Sequence, residues 1–253
     1  SPIPRVLSTL ARHRVRTLLM GGQACILYGA AEFSRDIDVA AAVDARNLAR
    51  LRAALAELRA ESVFFPRLSA AALRRGHACH FRCRAAGLQN VRLDVMAVMR
   101  NGAPFEALWR RRVVLDLPGG VRVSLMSVED LVRVKKTQRD KDWPMVRRLV
   151  ETDVHAYRRP SPRKVRFWLR ECRTSRMICT LAKGHRALAR REAAHRPLLL
   201  VALSGDERAV ESALRSEESA ERERDRAYWR PLRAELERMR LRRPRRCSSS
   251  IRR

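Results

Sequence analysis

The sequence predicts an α/β fold built on a mixed sheet over residues 1–152, followed by an all-helical domain over 153–240. Three observations point there. First, short apolar runs that read as strands alternate with stretches of helical period: 17–20 gives way to 21–29, and 36–42 to the stretch behind Asp44. Second, Pro118-Gly119-Gly120 stands between two apolar runs, 113–117 and 121–125, which is the pattern of a β-hairpin. Third, the stretches beyond Arg158-Arg159-Pro160-Ser161-Pro162, a linker by composition, read as helices.

Ile3, Val6, Leu7 and Leu10 fall on one side of an opening helix at 3–14. A strand at 17–20 runs into Gly21-Gly22 and a helix that reaches 29. After the strand at 36–42, Asp44 suits the N-cap of a helix whose Leu48, Leu51, Leu55 and Leu58 recur at core spacing. Phe64-Phe65-Pro66 is a connection, and Ser69 caps a short helix over 70–75 that Gly76 closes. Strands at 77–84 and 91–98 flank a turn at 87–90. A helix at 104–112 ends in Arg110-Arg111-Arg112 and precedes the hairpin. Ser127, with Asp130 at the third helical position, is expected to form a capping box. The helix it opens would carry Leu131, Lys135, Gln138 and Asp142 on one face. In the second domain, helices are expected at about 162–173, 175–191, 197–203, 206–216 and 217–240, with Ser161-Pro162 as the first N-cap. Trp229, Leu232, Leu236 and Met239 form a stripe suited to packing on the rest of the chain, and 241–253 reads as a basic, disordered tail.

The chemistry concentrates at residues 18–42. In a strand, alternate side chains share a face, so Asp36 and Asp38 point one way and Ile37 the other. Two carboxylates on one face repel and call for solvent or a cation. Such a pair suits Mg2+, which is typically held by one or two carboxylates plus substrate phosphates. Just upstream, Gly21-Gly22 links a strand to a helix N-terminus, where free backbone N–H groups with no Cβ in the way can cradle phosphate. A third acid, Asp94, sits inside the apolar run Leu93-Asp94-Val95, where a lone carboxylate needs a partner. That partner is either one of the many arginines or the same metal site.

These motifs resemble the core signature of nucleotidyltransferases of the DNA polymerase β type: Gly-Gly or Gly-Ser on a short helix, then Asp-x-Asp on the next strand. The nearest variant is the minimal and abortive-infection (AbiEii-like) bacterial branch. There Gly21-Gly22-Gln23-Ala24 and Ser34-Arg35-Asp36-Ile37-Asp38 stand in the expected places, although Arg35 lies directly before the first Asp rather than further upstream. Leu93-Asp94-Val95 resembles the later strand that adds a third acid, and Glu129-Asp130-Leu131, Lys135 and Arg139-Asp140-Lys141-Asp142 match a downstream segment. The resemblance covers about residues 15–150. It implies a polymerase-β-like core that moves a nucleoside monophosphate from a nucleoside triphosphate to a hydroxyl. Asp36, Asp38 and Asp94 would hold Mg2+, with Mn2+ as a substitute, and Asp94 would also help deprotonate the attacking hydroxyl. Gly21, Gly22, Ser34, Arg35 and Lys135 would bind the nucleotide. The acceptor would be an RNA such as a tRNA (a toxin-like role), a protein or a small molecule; no protein partner or antitoxin is named by the sequence.

The charge is compatible with a polyanionic partner. Residues 1–150 hold 27 basic and 13 acidic residues, and residues 151–253 hold 28 and 14, so each part carries +14 of the net +28. The excess is not a tail effect, and it would attract triphosphates or RNA. No run is apolar enough to span a bilayer, and the opening residues lack the apolar stretch of a secretory signal. Six cysteines without a Cys-x-x-Cys pair read as free thiols of a cytoplasmic protein. Two other functions use the same features. One is a nucleotide sensor that binds without turnover; the other is a basic RNA-binding module.

Overall fold

The computed structural model describes residues 2–88 and 90–241; the tail expected at 241–253 therefore lies, past Leu241, outside the described residues. A seven-stranded mixed sheet occupies the N-terminal part, and an all-helical region follows it. The strands are β1 (Thr17–Met20), β2 (Asp36–Ala41), β3 (Ala60–Ser62), β4 (Cys79–Cys83), β5 (Arg92–Met96), β6 (Val113–Leu117) and β7 (Val121–Leu125). They lie in the order β3-β4-β5-β2-β1-β7-β6. The β2–β5 and β1–β7 pairs are parallel and the others antiparallel.

One face of this sheet is apolar. Ile37 and Val39 of β2, Leu93 and Val95 of β5, and Cys79, Phe81 and Cys83 of β4 alternate onto it, and all are buried. Leu7 and Leu10 of α1 (Pro2–Arg12) pack there against Leu19, Val39 and Val123. Leu48, Leu51 and Leu55 of α3 (Ala45–Glu57) join the same core, and Asp44 caps that helix by accepting from the Asn47 N–H. The opposite face carries Asp36, Asp38, Arg92, Asp94, His80 and Arg82 along neighbouring strands. A helix, α2 (Gly21–Leu27), follows β1 directly and lies beside β2.

The expected caps form where they were read. Ser69 accepts from the Ala72 N–H at the start of α4 (Ala70–Arg74), and Ser161 from the Lys164 N–H at the start of α8 (Pro162–Glu171). The capping box at Ser127 forms only in part. Its hydroxyl takes the Asp130 N–H at the start of α6 (Val128–Val134), but the Asp130 carboxylate turns to that hydroxyl and to Arg111, which follows α5 (Phe105–Arg110).

Four expectations need correction. The edge strand β3 was not read from Ala60-Glu61-Ser62, which has no apolar alternation. The helix carrying Lys135 does not continue through Asp142: α6 ends, and α7 (Asp142–Ala156) begins afresh. Between them the Gln138 N–H donates to the Asp225 carboxylate at 2.9 Å and its carbonyl accepts from Arg222, so tertiary partners claim backbone groups that a continuous helix would use. The helix expected at 175–191 is two, α9 (Ser175–Gly184) and α10 (Arg186–Glu192), separated at Gly184-His185, where His185 leaves helical geometry. Conversely, the last two expected helices are one. After α11 (Leu198–Ser204), α12 (Glu207–Leu241) runs for 35 residues with Pro231 on an exposed side.

The two parts are tied together. α7 passes through position 152 without a break, and α12 returns to the sheet region. There Arg100 pairs with Glu221 and Asp225, and Glu235 pairs with Arg75 and with buried His77. Leu232 approaches Gly76, and Trp229, Leu236 and Met239 are half-buried, in line with the expected packing stripe. Among the described residues no helix is long and apolar enough to cross a membrane.

Candidate active site

The site grows from the register of three neighbouring strands. In the parallel β2–β5 pair, Asp38 stands opposite Asp94 and Asp36 opposite Arg92; in the antiparallel β4–β5 pair, His80 stands opposite Asp94. Residues paired in register share a face. The three acids read from the sequence therefore share one face, Asp36 and Asp38 partly exposed and Asp94 buried, with the apolar residues between them turned into the core.

The Gly21-Gly22 turn closes over this face. Gly21 has φ +66°, and a Cβ there would lie 2.0 Å from Asp38 Oδ2; a Cβ on Gly22 would lie 2.5 Å from Ser34 Oγ. Only glycine lets the backbone approach the carboxylate and the serine this closely. Ser34 is fixed by its neighbours: its hydroxyl donates to the Asp36 carbonyl at 3.3 Å, and its own carbonyl accepts from Gln23 of α2 at 2.7 Å. Arg35 is exposed and lies over the ring of Phe33, which is itself 67% exposed.

The acids differ in charge balance. Burial pushes the Asp38 carboxyl up from 3.8 to about 6, and the charge of Asp94 adds to it, while Lys135 and Arg139 pull the other way. No side-chain hydrogen bond reaches Asp36 or Asp38 among the described residues. Burial also acts to raise Asp94, but hydrogen bonds from His80 and Arg92 outweigh it and hold the carboxyl below its ordinary value. Arg92 Nε donates to Asp94 Oδ1 at 2.9 Å, and His80 Nδ1 lies 2.8 Å from the same oxygen. That nitrogen also lies 3.1 Å from Arg92 Nη2, so a protonated Nδ1 donates to Asp94 and a bare one accepts from Arg92.

Of the metal set expected from the sequence, Asp94 already has side-chain partners and Asp36 and Asp38 have none among the described residues. Among the described residues no three His, Cys, Asp or Glu side chains gather into a group that could hold a metal ion. Arg92 and His80 already occupy Asp94 Oδ1. The donor set facing outward is Asp36 with Asp38. Two carboxylates with no bound partner, one of them pushed up by burial and by a neighbouring charge, fit a hard cation that completes its shell with phosphate oxygens.

Lys135 is near the site but is not free in it. It is buried, and its Nζ donates to Asp142 Oδ1 at 2.8 Å. Thr137 and Arg139 reach Asp142 Oδ2 at 2.5 and 3.2 Å. The expected route from Lys135 to phosphate along a helix face is replaced by a loop, 135–141, folded around Asp142. Arg139, exposed to solvent, extends from that loop, and its charge acts on Asp38.

His80 and Arg92 belong to the site but carry no site role in the sequence reading, whereas Arg139 and Asp142 lie in the downstream segment read there with Lys135. Arg92 had a signal, since Arg92-x-Asp94 places it on the strand face of Asp94. His80 had none, because its partner depends on strand register. Cys79 and Cys83 face the core, and His77 meets Glu235. Burial pushes the Cys25, Cys79 and Cys83 thiols up to about 11, which leaves them unreactive at neutral pH. No protein-family model matches the chain, and no curated protein matches it in sequence.

Proposed function

We propose that the chain is a nucleotidyltransferase of the polymerase-β type, which transfers a nucleoside monophosphate from a nucleoside triphosphate to a hydroxyl. The observation that carries this reading is the seating of Asp38 against the Gly21-Gly22 turn, with Asp36 and Asp94 on the same strand face. Phosphate-cradling backbone and cation-seeking carboxylates meet at one place.

In this reading Asp36 and Asp38 hold Mg2+, which neutralises charge on the triphosphate when bound. Gly21, Gly22 and Ser34 position the phosphates, and Arg139 supplies positive charge beside Asp38. Lys135 supports the site indirectly, by fixing Asp142 and the loop that carries Arg139. Asp94, kept ionised by Arg92 and His80, accepts the hydrogen bond of the attacking hydroxyl and orients it. The hydroxyl oxygen bonds to the α-phosphorus, the bond from that phosphorus to the bridging oxygen breaks, and pyrophosphate leaves. The hydroxyl proton goes to Asp94 or to water.

One rival is a sensor that binds nucleotide at the same residues without turnover. One experiment separates them. The full chain is incubated with each labelled triphosphate, Mg2+ and cell extract, and labelled acceptor and pyrophosphate are measured. Transfer predicts labelling that Asp38→Asn lowers by at least about a hundredfold, as loss of a charge-stabilising group does. Mg2+-dependent nucleotide binding without labelling or pyrophosphate would establish the sensor instead.

A further inference from the structure

The acceptor side of the site carries an aromatic surface that transfer chemistry alone does not call for. Phe64, in the connection after β3, is 48% exposed. Its ring meets His80 edge-to-face, with centroids 5.6 Å apart, and Arg92 lies over it at 5.8 Å. His80 and Arg92 are the two side chains that hold Asp94 Oδ1. An open aromatic ring is thus one side chain removed from the carboxylate that faces the attacking hydroxyl.

This placement is selective. Phenylalanine, tyrosine and tryptophan make up 5% of the chain, and the exposed ones among the described residues are Phe33, Phe64 and Tyr157. Two of the three lie near the carboxylate strands: Phe33 is next to Ser34 in the chain, and Phe64 sits against His80 and Arg92. One guanidinium, that of Arg92, lies at the Phe64 ring. Further along β4, Arg82 shares the face of His80, stands opposite Glu61 of β3 and is exposed. An exposed ring beside a guanidinium can bind an unpaired base by stacking and its phosphate by charge, with little demand on base identity.

We propose that Phe64, seated on His80 and Arg92, is the stacking platform for the unpaired terminal nucleotide of an RNA acceptor, whose hydroxyl it presents to Asp94. The inference rests on the transfer reading for its role, but the stacking contact can be measured without turnover.

The test uses the full chain and a single-stranded RNA oligonucleotide with 2-aminopurine at its 3′ end, in Mg2+ without nucleotide. Stacking on Phe64 quenches the fluorescence. Phe64→Ala and Phe64→Leu should weaken binding about tenfold and remove the quenching, whereas Phe64→Tyr restores both. Leu keeps the apolar bulk, so loss in Phe64→Leu with recovery in Phe64→Tyr separates stacking from packing. Leu200→Ala, which trims an exposed side chain on α11, should bind as the parent does. Binding that ignores Phe64, an unquenched base, or equal affinity for a blunt duplex would overturn the platform. Phe64-dependent quenching without any labelling in the triphosphate assay would sink the transfer reading and leave the platform standing. Labelling confined to protein, or labelling of RNA indifferent to Phe64, would do the reverse.

Discussion

Asp38 and Asp142 are two carboxylates shielded from water in neighbouring parts of the molecule, and they titrate in opposite directions. Asp142 is fully buried, and burial alone would raise it, yet Lys135, Thr137 and Arg139 bring it below its ordinary value. Asp38 has no such company: burial and Asp94 lift it to about 6. The difference teaches which region is finished and which is open. The buried Asp142 has its charge matched by Lys135 and Arg139 of the same loop, so this loop is a framework. The face of β2 leaves an anionic valence unsatisfied, and that valence is where an outside cation has something to gain.

The largest effect that tests this contrast falls on the framework. Asp142→Ala leaves the buried Lys135 ammonium without its partner and frees Thr137 and Arg139. Breaking a buried pair from one side costs about 3–5 kcal/mol. Denaturant unfolding should show a loss of that size at pH 7. The Asp142 contribution should persist above the ordinary carboxylate value of 3.8 and fade as acid takes the pH below it, because the folded-state value is depressed. A loss under about 1 kcal/mol would mean that this loop is no framework.

The opposite sign is expected on the β2 face. Below pH 3.8 Asp38 is protonated in both states and contributes nothing. Between 3.8 and about 6 it ionises in the unfolded chain but not in the folded one, so stability falls as pH rises through that window. At about 1.4 kcal/mol per pH unit the full penalty reaches about 3 kcal/mol. Asp38→Asn, measured in chelator, should therefore be more stable than the parent by up to about 3 kcal/mol at pH 8 and equal to it at pH 3.5. An equal offset at both pH values would point to packing and remove the charge argument.

The two regions also differ in how openly the sequence announces them. Gly21-Gly22, Asp36 and Asp38 lie within one strand–turn–helix–strand unit, and alternation along a strand is a local rule, so their meeting was legible. So were the caps at Asp44, Ser69 and Ser161, each of which bonds three residues ahead. Asp94 was legible as a buried acid, but its partner His80 was not, since that contact is set by strand register. The framework was least legible. Its helix breaks because Gln138 bonds Asp225, 87 residues further along the chain, and no local pattern carries that information. Asp225, which also pairs with Arg100 beyond the end of β5, thus shapes the site from α12, far along the chain.

The smallest effect is the sharpest, because it asks whether the open valence accepts a cation. An ion that binds only the folded chain stabilises it by RT ln(1 + [L]/Kd), about 1.4 kcal/mol at ten times Kd. Mg2+ should therefore raise the parent's thermal midpoint at pH 8 by a few degrees. Protons compete for the carboxylate, so the rise should shrink as pH falls below about 6, where Asp38 takes up its proton. Asp38→Asn should show no rise at either pH. The neighbouring framework supplies the control: Asp142→Ala is weaker overall but keeps Asp36 and Asp38, so Mg2+ should still lift its midpoint. The measurement is a set of melts at two pH values, with and without Mg2+, on the parent and both variants. A rise that survives in Asp38→Asn would place the cation elsewhere, and the contrast between the two carboxylates would then describe folding alone.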